Sequence, residues 1–318
     1  MIKLEPIRTF PVEEYLLTRL AISPAGDEIA LGHKRFRSYD AESGAPRAEF
    51  DFPDFLAQLR YSPDGRHLAA ANVADNHPAT RGSLGVFAAT GGAPIWTAAA
   101  ERPIEACAFT DAGALRWNAG AALAGAELDP RRDLPPLPVP DLQIRGVACA
   151  PYGYVCFGRE AAGAVQQVEG ADLVFRKFRL ITLDAQGKVR NNVDLGIGAG
   201  VHALSPDGKL LAVEMVDFKN NERHVSLIDV ETGVEANLLS LESNTLPVFE
   251  FGLGSEYFLC MKEDAEANFN LLRVWRTSDL KLVGEAQVEL GFHSFATRLE
   301  HSLLAFLGQG HLSLFALE

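Results

Sequence analysis

The amino-acid sequence predicts an all-β fold, a seven-bladed β-propeller with four antiparallel strands in each blade. Three observations support it. A Ser-Pro-Asp-Gly turn recurs along the chain, its copies lie about 40–50 residues apart, and a single unpaired strand is left over at each end. We expect residues 1–318 to form one domain, because closed all-β folds often exceed the usual domain length.

The turn occurs twice in nearly identical form, in residues 59–70 and 203–213, and once in a weaker form in residues 20–31. Proline presets φ for a tight turn, aspartate caps the turn through its side chain, and glycine takes the position with positive φ. The flanking residues are β-branched, aromatic or alternating in polarity, as the two strands of a hairpin require.

Degenerate copies of the turn extend the series to seven units. With the serine position as the mark, the units are anchored at Ser23, Ser62, Thr110, Ala150, Ser205, Gly252 and Arg298. The anchors are separated by 39, 48, 40, 55, 47 and 46 residues, and this period is typical of propeller blades. A second hairpin follows in most units, as in residues 225–236, so each unit has four strands.

The two ends of the chain complement each other. Residues 312–317 form a third strand with no fourth strand after it, and residues 4–10 form a fourth strand that precedes the first unit. If the two strands are joined, 43 residues separate the last anchor from the first, which is the length of one blade. We therefore expect the N-terminal strand to complete the last blade and close the ring, which protects the sheet edges.

The turn motif and the third-strand pattern resemble the WD-repeat family of seven-bladed propellers and its bacterial relatives with Ser-Pro-Asp-Gly turns. The resemblance covers the whole chain, although the Trp-Asp dipeptide is replaced by pairs such as Trp275-Arg276 and Tyr39-Asp40. Six-bladed translocation-type propellers share the turn motif. Six, seven and eight blades therefore remain alternatives, and the closure count favours seven.

Composition narrows the classes of partner. The formal net charge is −13, which disfavours a nucleic-acid partner because phosphates must be neutralised by clustered Lys and Arg. No apolar stretch approaches the roughly 18 residues of a membrane span, and the N-terminus has no signal-peptide core. We expect a cytoplasmic protein with four reduced thiols. A disulfide between Cys149 and Cys156 is the alternative.

The connections between the second and third strands are predicted to be the long ones. They span residues 72–82, 158–172, 216–223 and 262–268, whereas the other turns are short and uniform. Because loops carry function more often than scaffolds do, the binding face is predicted at these connections. The alternative is that they are neutral insertions, which surface loops tolerate.

The candidate partner-binding residues lie in or beside these connections: His33, Arg35, Arg176, Lys177, Lys219 and Arg223. The segments 33–37 and 175–179 alternate aromatic and basic residues, a pattern that can contact phosphates and stack on bases. The same alternation is expected of a strand with aromatics inward and solvated charges outward, and the negative net charge favours this interpretation. Loop histidines such as His77 have no metal-ligand spacing, so no metal site is expected.

Nucleophile and phosphate-loop motifs are absent from the sequence. We therefore predict a non-catalytic, monomeric scaffold that binds a protein partner and needs no cofactor, which is an argument from fold analogy. Two alternatives remain. One is a lactonase-like propeller hydrolase, whose site at the channel mouth is built from scattered residues. The other is a sensor of small anions that uses the basic strands.

Overall fold

The described part of the protein consists of β-strands joined by turns. The computed structural model describes residues 4–12, 19–32, 36–52, 56–72, 82–100, 102–168, 171–217, 220, 222–241, 248–252, 255–264, 269–289, 294–298, 303–307 and 310–317. Within these ranges there is no helix long and apolar enough to cross a membrane.

The strands of the first half are short and follow each other closely. In chain order they are β1 (Leu4–Pro11), β2 (Arg19–Ile22), β3 (Glu28–Gly32), β4 (Phe36–Asp40), β5 (Pro46–Phe50), β6 (Leu56–Tyr61), β7 (His67–Asn72), β8 (Gly82–Ala88), β9 (Trp96–Ala100), β10 (Cys107–Phe109), β11 (Leu115–Asn118), β12 (Ala122–Leu128) and β13 (Arg131–Pro138).

The strands of the second half are mostly longer. They are β14 (Leu142–Ala150), β15 (Gly153–Glu160), β16 (Ala164–Val168), β17 (Ala171–Phe175), β18 (Phe178–Leu183), β19 (Val189–Gly196), β20 (Ala199–Leu204), β21 (Leu210–Asp217), β22 (Glu222–Asp229), β23 (Glu235–Leu241), β24 (Val248–Gly252), β25 (Tyr257–Asp264), β26 (Phe269–Arg276), β27 (Lys281–Glu289), β28 (Ser294–Arg298), β29 (Leu303–Leu307) and β30 (His311–Leu317).

Apart from β16 and β17, which pair with each other, these strands form seven four-stranded antiparallel sheets, and the fold is a seven-bladed β-propeller, as predicted. Blades 1, 2 and 3 are β2–β5, β6–β9 and β10–β13. Blade 4 is β14, β15, β18 and β19. Blades 5 and 6 are β20–β23 and β24–β27, and blade 7 is β28, β29, β30 and β1. We call the end of a blade that holds its first-to-second and third-to-fourth strand turns the turn end, and the opposite end the loop end.

The N-terminal strand completes the last blade, as predicted. Leu4 of β1 pairs with Leu317 of β30, and Phe10 pairs with Leu312. Phe10 is buried in a cluster with strands of blades 1 and 7. Its ring also lies against Gly44, where a Cβ atom would come within 2.3 Å and where φ is +70°. Glycine at position 44 therefore lets the turn of blade 1 approach the N-terminal strand closely.

The serine turns are held by a buried hydroxyl. Ser62 Oγ donates to Asp64 Oδ1 at 2.6 Å and accepts from the His67 amide at 2.9 Å. Ser205 makes the same pair of bonds to Asp207 and Leu210. Both serines are almost fully buried, so an unsatisfied hydroxyl there would be costly. This requirement explains why the motif keeps serine and aspartate together at the first turn of a blade.

The third-to-fourth turns depend on an aspartate at the end of the third strand. Asp40 Oδ1 accepts from the amide and the hydroxyl of Ser43, and Asp40 Oδ2 accepts from Arg47 at 2.5 Å. These bonds hold the pKa of Asp40 well below its usual range, with the Ser43 amide as the main cause. Asp229 accepts from Thr232 in the same way in blade 5.

Two compact units can be distinguished, and each has its own core. Residues 1–105, 111–113 and 245–318 carry blades 1, 2, 6 and 7, and the remaining residues carry blades 3, 4 and 5. In the first unit, Phe36 stacks on Phe50 with ring centroids 4.5 Å apart, and Phe87 meets both rings edge-on. In the second unit, Phe157 stacks on Phe178 at 5.5 Å. Two aromatic members of the predicted alternation, Phe36 and Phe178, are therefore buried, whereas the side chain of Phe175 lies outside the described part.

Two of the predicted long connections differ from irregular loops, and most of the other two, residues 72–82 and 262–268, lies outside the described residues. Residues 158–172 begin inside β15 and contain most of an additional hairpin, β16–β17. At both ends of residues 216–223 the chain is strand, because β21 and β22 stay paired as far as Asp217 and Glu222. In blade 3 the connection between β11 and β12 is only three residues long. Strand pairing at the loop end therefore continues further than the turn signals indicated.

The four cysteines are free thiols, as the favoured interpretation predicted. Cys107, Cys156 and Cys260 are buried and Cys149 is half-buried. Burial raises the pKa of Cys156 far above its usual value, so this thiol stays protonated and unreactive.

Truncation of Phe10 tests the closure of blade 7. Phe10→Ala removes a buried ring from β1 and is expected to lower the free energy of unfolding by about 3–5 kcal/mol. Ile7→Ala on the same strand is the control, because Ile7 is 48% exposed and its loss should cost under about 1 kcal/mol. Urea unfolding followed by tryptophan fluorescence measures both. Equal effects of the two substitutions would contradict the burial of β1.

The aspartate turns predict a loss of stability in acid. Because the pKa of Asp40 is lower in the folded than in the unfolded chain, the unfolded chain binds more protons. The stabilisation is complete above the unfolded pKa of about 4 and is lost as pH falls through the folded value.

Urea midpoints between about pH 5 and pH 2 should therefore fall less steeply for Asp40→Asn than for the unmodified protein. Asp133→Asn is the control, since Asp133 is an exposed carboxylate that lies 3.7 Å from Arg131. If the urea midpoint of Asp40→Asn falls with pH as steeply as the midpoints of the unmodified protein and of Asp133→Asn, the turn does not depend on the charge of Asp40.

Candidate functional site

The loop end of blade 4 carries the extra hairpin β16–β17. The two strands pair with each other from Ala164↔Phe175 to Val168↔Ala171, and in the described part of the chain they pair with no other strand. The hairpin leaves the sheet after Glu160 and returns at Phe178, so it extends the loop end of the blade. It is held at its base by main-chain bonds, including one from the Glu160 amide to the Lys177 carbonyl at 2.8 Å.

Two of the candidate binding residues, Arg176 and Lys177, lie at the base of this hairpin. Both side chains are exposed, whereas Phe178, the next residue, is buried. Arg176 Nη1 donates to Gln143 Oε1 at 3.3 Å, and Lys177 Nζ lies 2.5 Å from Asp194 Oδ2. Bonding to Asp194 raises the pKa of Lys177, so the ammonium stays charged. The structure therefore presents two adjacent basic side chains to solvent, of which Lys177 is ion-paired with Asp194.

Arg223 occupies a different environment. Its side chain is 15% exposed and pairs with Glu214, which is 5% exposed, through two guanidinium nitrogens. The Nε–Oε1 distance is 2.8 Å. Arg223 lies opposite Val216 on the paired strands β21 and β22. Its position within the sheet indicates a structural role for the guanidinium, in addition to any contact with a partner.

The other candidate residues, His33, Arg35 and Lys219, lie outside the described residues, and so does His77. Of the remaining loop histidines, His224 lies 3.4 Å from Glu235, and His311 is the first residue of β30. In the described ranges no three His, Cys, Asp or Glu side chains come together as a metal ion would require.

A cleft of about 320 Å³ lies at the turn end of blade 4, and the sequence analysis did not identify it. It is lined by Tyr152, Thr182, Arg190, Asn191 and Glu231. Tyr152 occupies the first turn of blade 4 and donates from its hydroxyl to the Gly208 carbonyl at 2.7 Å. Burial is the main cause that raises the pKa of Tyr152, and the negative charge of Asp207 raises it further. The degenerate Pro-Tyr-Gly turn was the signal, because Tyr replaces the capping Asp.

Arg190 reaches this cleft because of a β-bulge. Thr182 pairs with Asn191 and Leu183 pairs with Val189, so Arg190 has no residue opposite it. The extra residue breaks the usual alternation of side chains, and Arg190 and Asn191 both line the cleft. The Arg190 guanidinium lies 4.9 Å from the centre of the Tyr152 ring. Asn191 Nδ2 donates to the main-chain carbonyl of Glu231, which joins the two walls of the cleft.

A further ionisable side chain, Glu250, lies on the first strand of blade 6. Burial raises its pKa, and the charge of Arg60 acts in the opposite direction. A carboxylate with a raised pKa can serve as an acid or a base. In the described ranges Glu250 belongs to no group of three His, Cys, Asp or Glu side chains that could hold a metal ion, and this residue alone does not define a site.

Comparisons with known proteins show the fold. No family model matches the chain, and no curated protein matches it. Among solved structures, the chain is similar to Kuenenia stuttgartiensis hydrazine synthase, with 13% identity, a TM-score of 0.68 and 94% of each chain covered. It is also similar to the β-propeller domain of Myceliophteria thermophila Cps50 (Swd1), with 12% identity, a TM-score of 0.67, and coverage of 99% of this chain and 100% of that one. At these identities the likeness concerns the propeller fold alone.

The buried pair predicts a stability effect that separates Arg223 from the exposed basic residues. Arg223→Met leaves the Glu214 carboxylate buried without its guanidinium partner and should destabilise the protein by about 3 kcal/mol. Arg176→Met, the same change at an exposed position, should cost under about 0.5 kcal/mol. Adding Glu214→Leu to Arg223→Met should restore much of the loss, since both charges are then gone. Urea denaturation checks all three, and equal losses for the two single variants would refute a structural role for Arg223.

Proposed function

We propose that the protein is a non-catalytic scaffold that binds a protein partner at the loop end of its blades. The observation that carries the proposal is the hairpin β16–β17, which pairs with no other described strand. A two-stranded hairpin is only marginally stable in water by itself. Its open edge offers main-chain groups to which an extended segment of a partner can add.

Charge supports the same location. Arg176 and Lys177 are exposed at the base of the hairpin, in a chain whose net charge is −13. A local positive pair on a negative protein directs the approach of a partner with an acidic segment and fixes its orientation. His33, Arg35 and Lys219 belong to the proposed surface by their position in the sequence, and Arg223 supports it from within blade 5.

The proposal extends to the setting in which the protein acts. We place it in the cytoplasm as a monomer of one propeller domain, residues 1–318, related to bacterial propellers with Ser-Pro-Asp-Gly turns. Binding of this kind requires no cofactor. The support is the repeated turn itself, whose Ser and Asp bonds recur in blades 2 and 5.

Charge reversal tests the proposed surface. A tagged full-length chain is used to capture partners from a lysate of the native host, and the partner found by mass spectrometry is then purified and titrated by calorimetry. Arg176→Glu with Lys177→Glu should weaken its binding at least about tenfold, because two attractive contacts become repulsive.

The control is Arg131→Glu with Arg132→Glu, another adjacent exposed pair, which lies at the turn end of blade 3. Its binding should stay within about twofold of the unmodified protein. Equal loss in both double variants, unchanged binding in the first, or the absence of any stoichiometric partner would each overturn the proposal.

A further inference from the structure

The cleft at the turn end of blade 4 holds two opposite charges that do not neutralise each other. Arg190 makes no hydrogen bond or ion pair with any described residue, and its guanidinium lies over the ring of Tyr152. Glu231 lines the same cleft, and its carboxylate has no partner in the described part of the chain. A free guanidinium and a free carboxylate therefore line one concave surface without pairing.

In blade 1, the arginine at the equivalent bulge stabilises the blade itself. Arg47 is the bulged residue of blade 1, between Pro46 and Ala48, as Arg190 is in blade 4. Arg47 is fully engaged by its own blade: Nη1 lies 2.9 Å from Asp27 and Nη2 lies 2.5 Å from Asp40. These bonds tie the two turns of blade 1 together.

Blade 4 has lost this use of the bulged arginine. In the first turn, the residue that corresponds to Asp27 of blade 1 is Tyr154, which carries no carboxylate. Asp184, which corresponds to Asp40, accepts the amides of Gln186 and Lys188 at Oδ1 and makes no ion pair with Arg190. Arg190 is thus held in place by the bulge and by stacking, while its N–H donors remain available to a ligand. Such fixed but unused donors are typical of a recognition site.

The other walls of the cleft are compatible with a small polar ligand. Thr182, which is 4% exposed, contributes a hydroxyl, and Tyr152 contributes an aromatic wall. The volume of about 320 Å³ lies at the lower end of the range for small-molecule sites. A simple anion would be repelled by Glu231 and a simple cation by Arg190, so a ligand that carries both charges fits best.

We propose that this cleft binds a free α-amino acid, with its carboxylate on Arg190 and its ammonium on Glu231. A guanidinium binds a carboxylate through two parallel hydrogen bonds, and a carboxylate accepts charge-assisted bonds from an ammonium. Asn191 and Tyr152 fix the distance between the two charged walls through their bonds to the Glu231 and Gly208 carbonyls. This site is independent of the proposed partner surface, which lies at the opposite end of the blade.

The test uses the full-length chain and the twenty standard amino acids, each titrated separately by ligand-observed NMR and by calorimetry. At least one should bind. Blocking its ammonium by acetylation, or its carboxylate by amidation, should weaken binding at least about tenfold. These derivatives probe both contacts without altering the protein.

Two variants complete the experiment. Arg190→Gln and Glu231→Gln should each weaken binding at least about tenfold. Lys188→Gln, two residues before Arg190 in the turn that precedes β19, and Glu42→Gln, at the matching turn position of blade 1, should change it less than about twofold. Failure of all twenty amino acids to bind overturns the proposal. So does binding that survives either blocked derivative, or binding that both Gln variants retain.

Discussion

Pairing between the first and last strands of the chain is the interaction on which the rest of blade 7 depends. Without β1, strand β30 would present a row of open main-chain groups, and the apolar residues beside it would lose Phe10 and Val12. The same strand contacts the turn of blade 1 through Phe10 and Gly44. One strand therefore completes a sheet and fixes a neighbouring turn, and a contact between residues about 300 positions apart becomes part of the core of its unit.

The turn ends and loop ends of the blades use polar groups in different ways. At the turn end, Ser62, Asp64 and Asp40 direct almost every lone pair at main-chain amides or at neighbouring side chains. These internal hydrogen bonds stabilise the turns and leave few acceptor atoms for a ligand. Blade 4 is the exception among the turns discussed, since its first turn supplies no carboxylate to the bulged Arg190. At the loop end of blade 4, Arg176 and Lys177 are exposed, and the hairpin β16–β17 pairs with no other described strand.

Much of the fold could be predicted, because each blade repeats the same local requirements. Serine, proline and glycine at fixed offsets specify a tight turn, and the period counts the blades. The hairpin β16–β17 could not be predicted, because its strands are short and contain polar residues such as Gln166 and Gln167. The bulge at Arg190 depends on strand register, and the burial of Arg223 depends on pairing across strands. Local sequence specifies neither the register nor that pairing.

The central claim is that the loop end of blade 4 is the surface that a protein partner covers. Amide hydrogen exchange, measured on the free protein and on its complex with the captured partner, tests this most directly. In the free protein, the amides of β16–β17 should exchange rapidly, because the hairpin has no further strand to support it. In the complex, they should become protected while the serine turns of blades 2 and 5 stay unchanged. Protection confined to the turn ends, or none at β16–β17, would contradict the account.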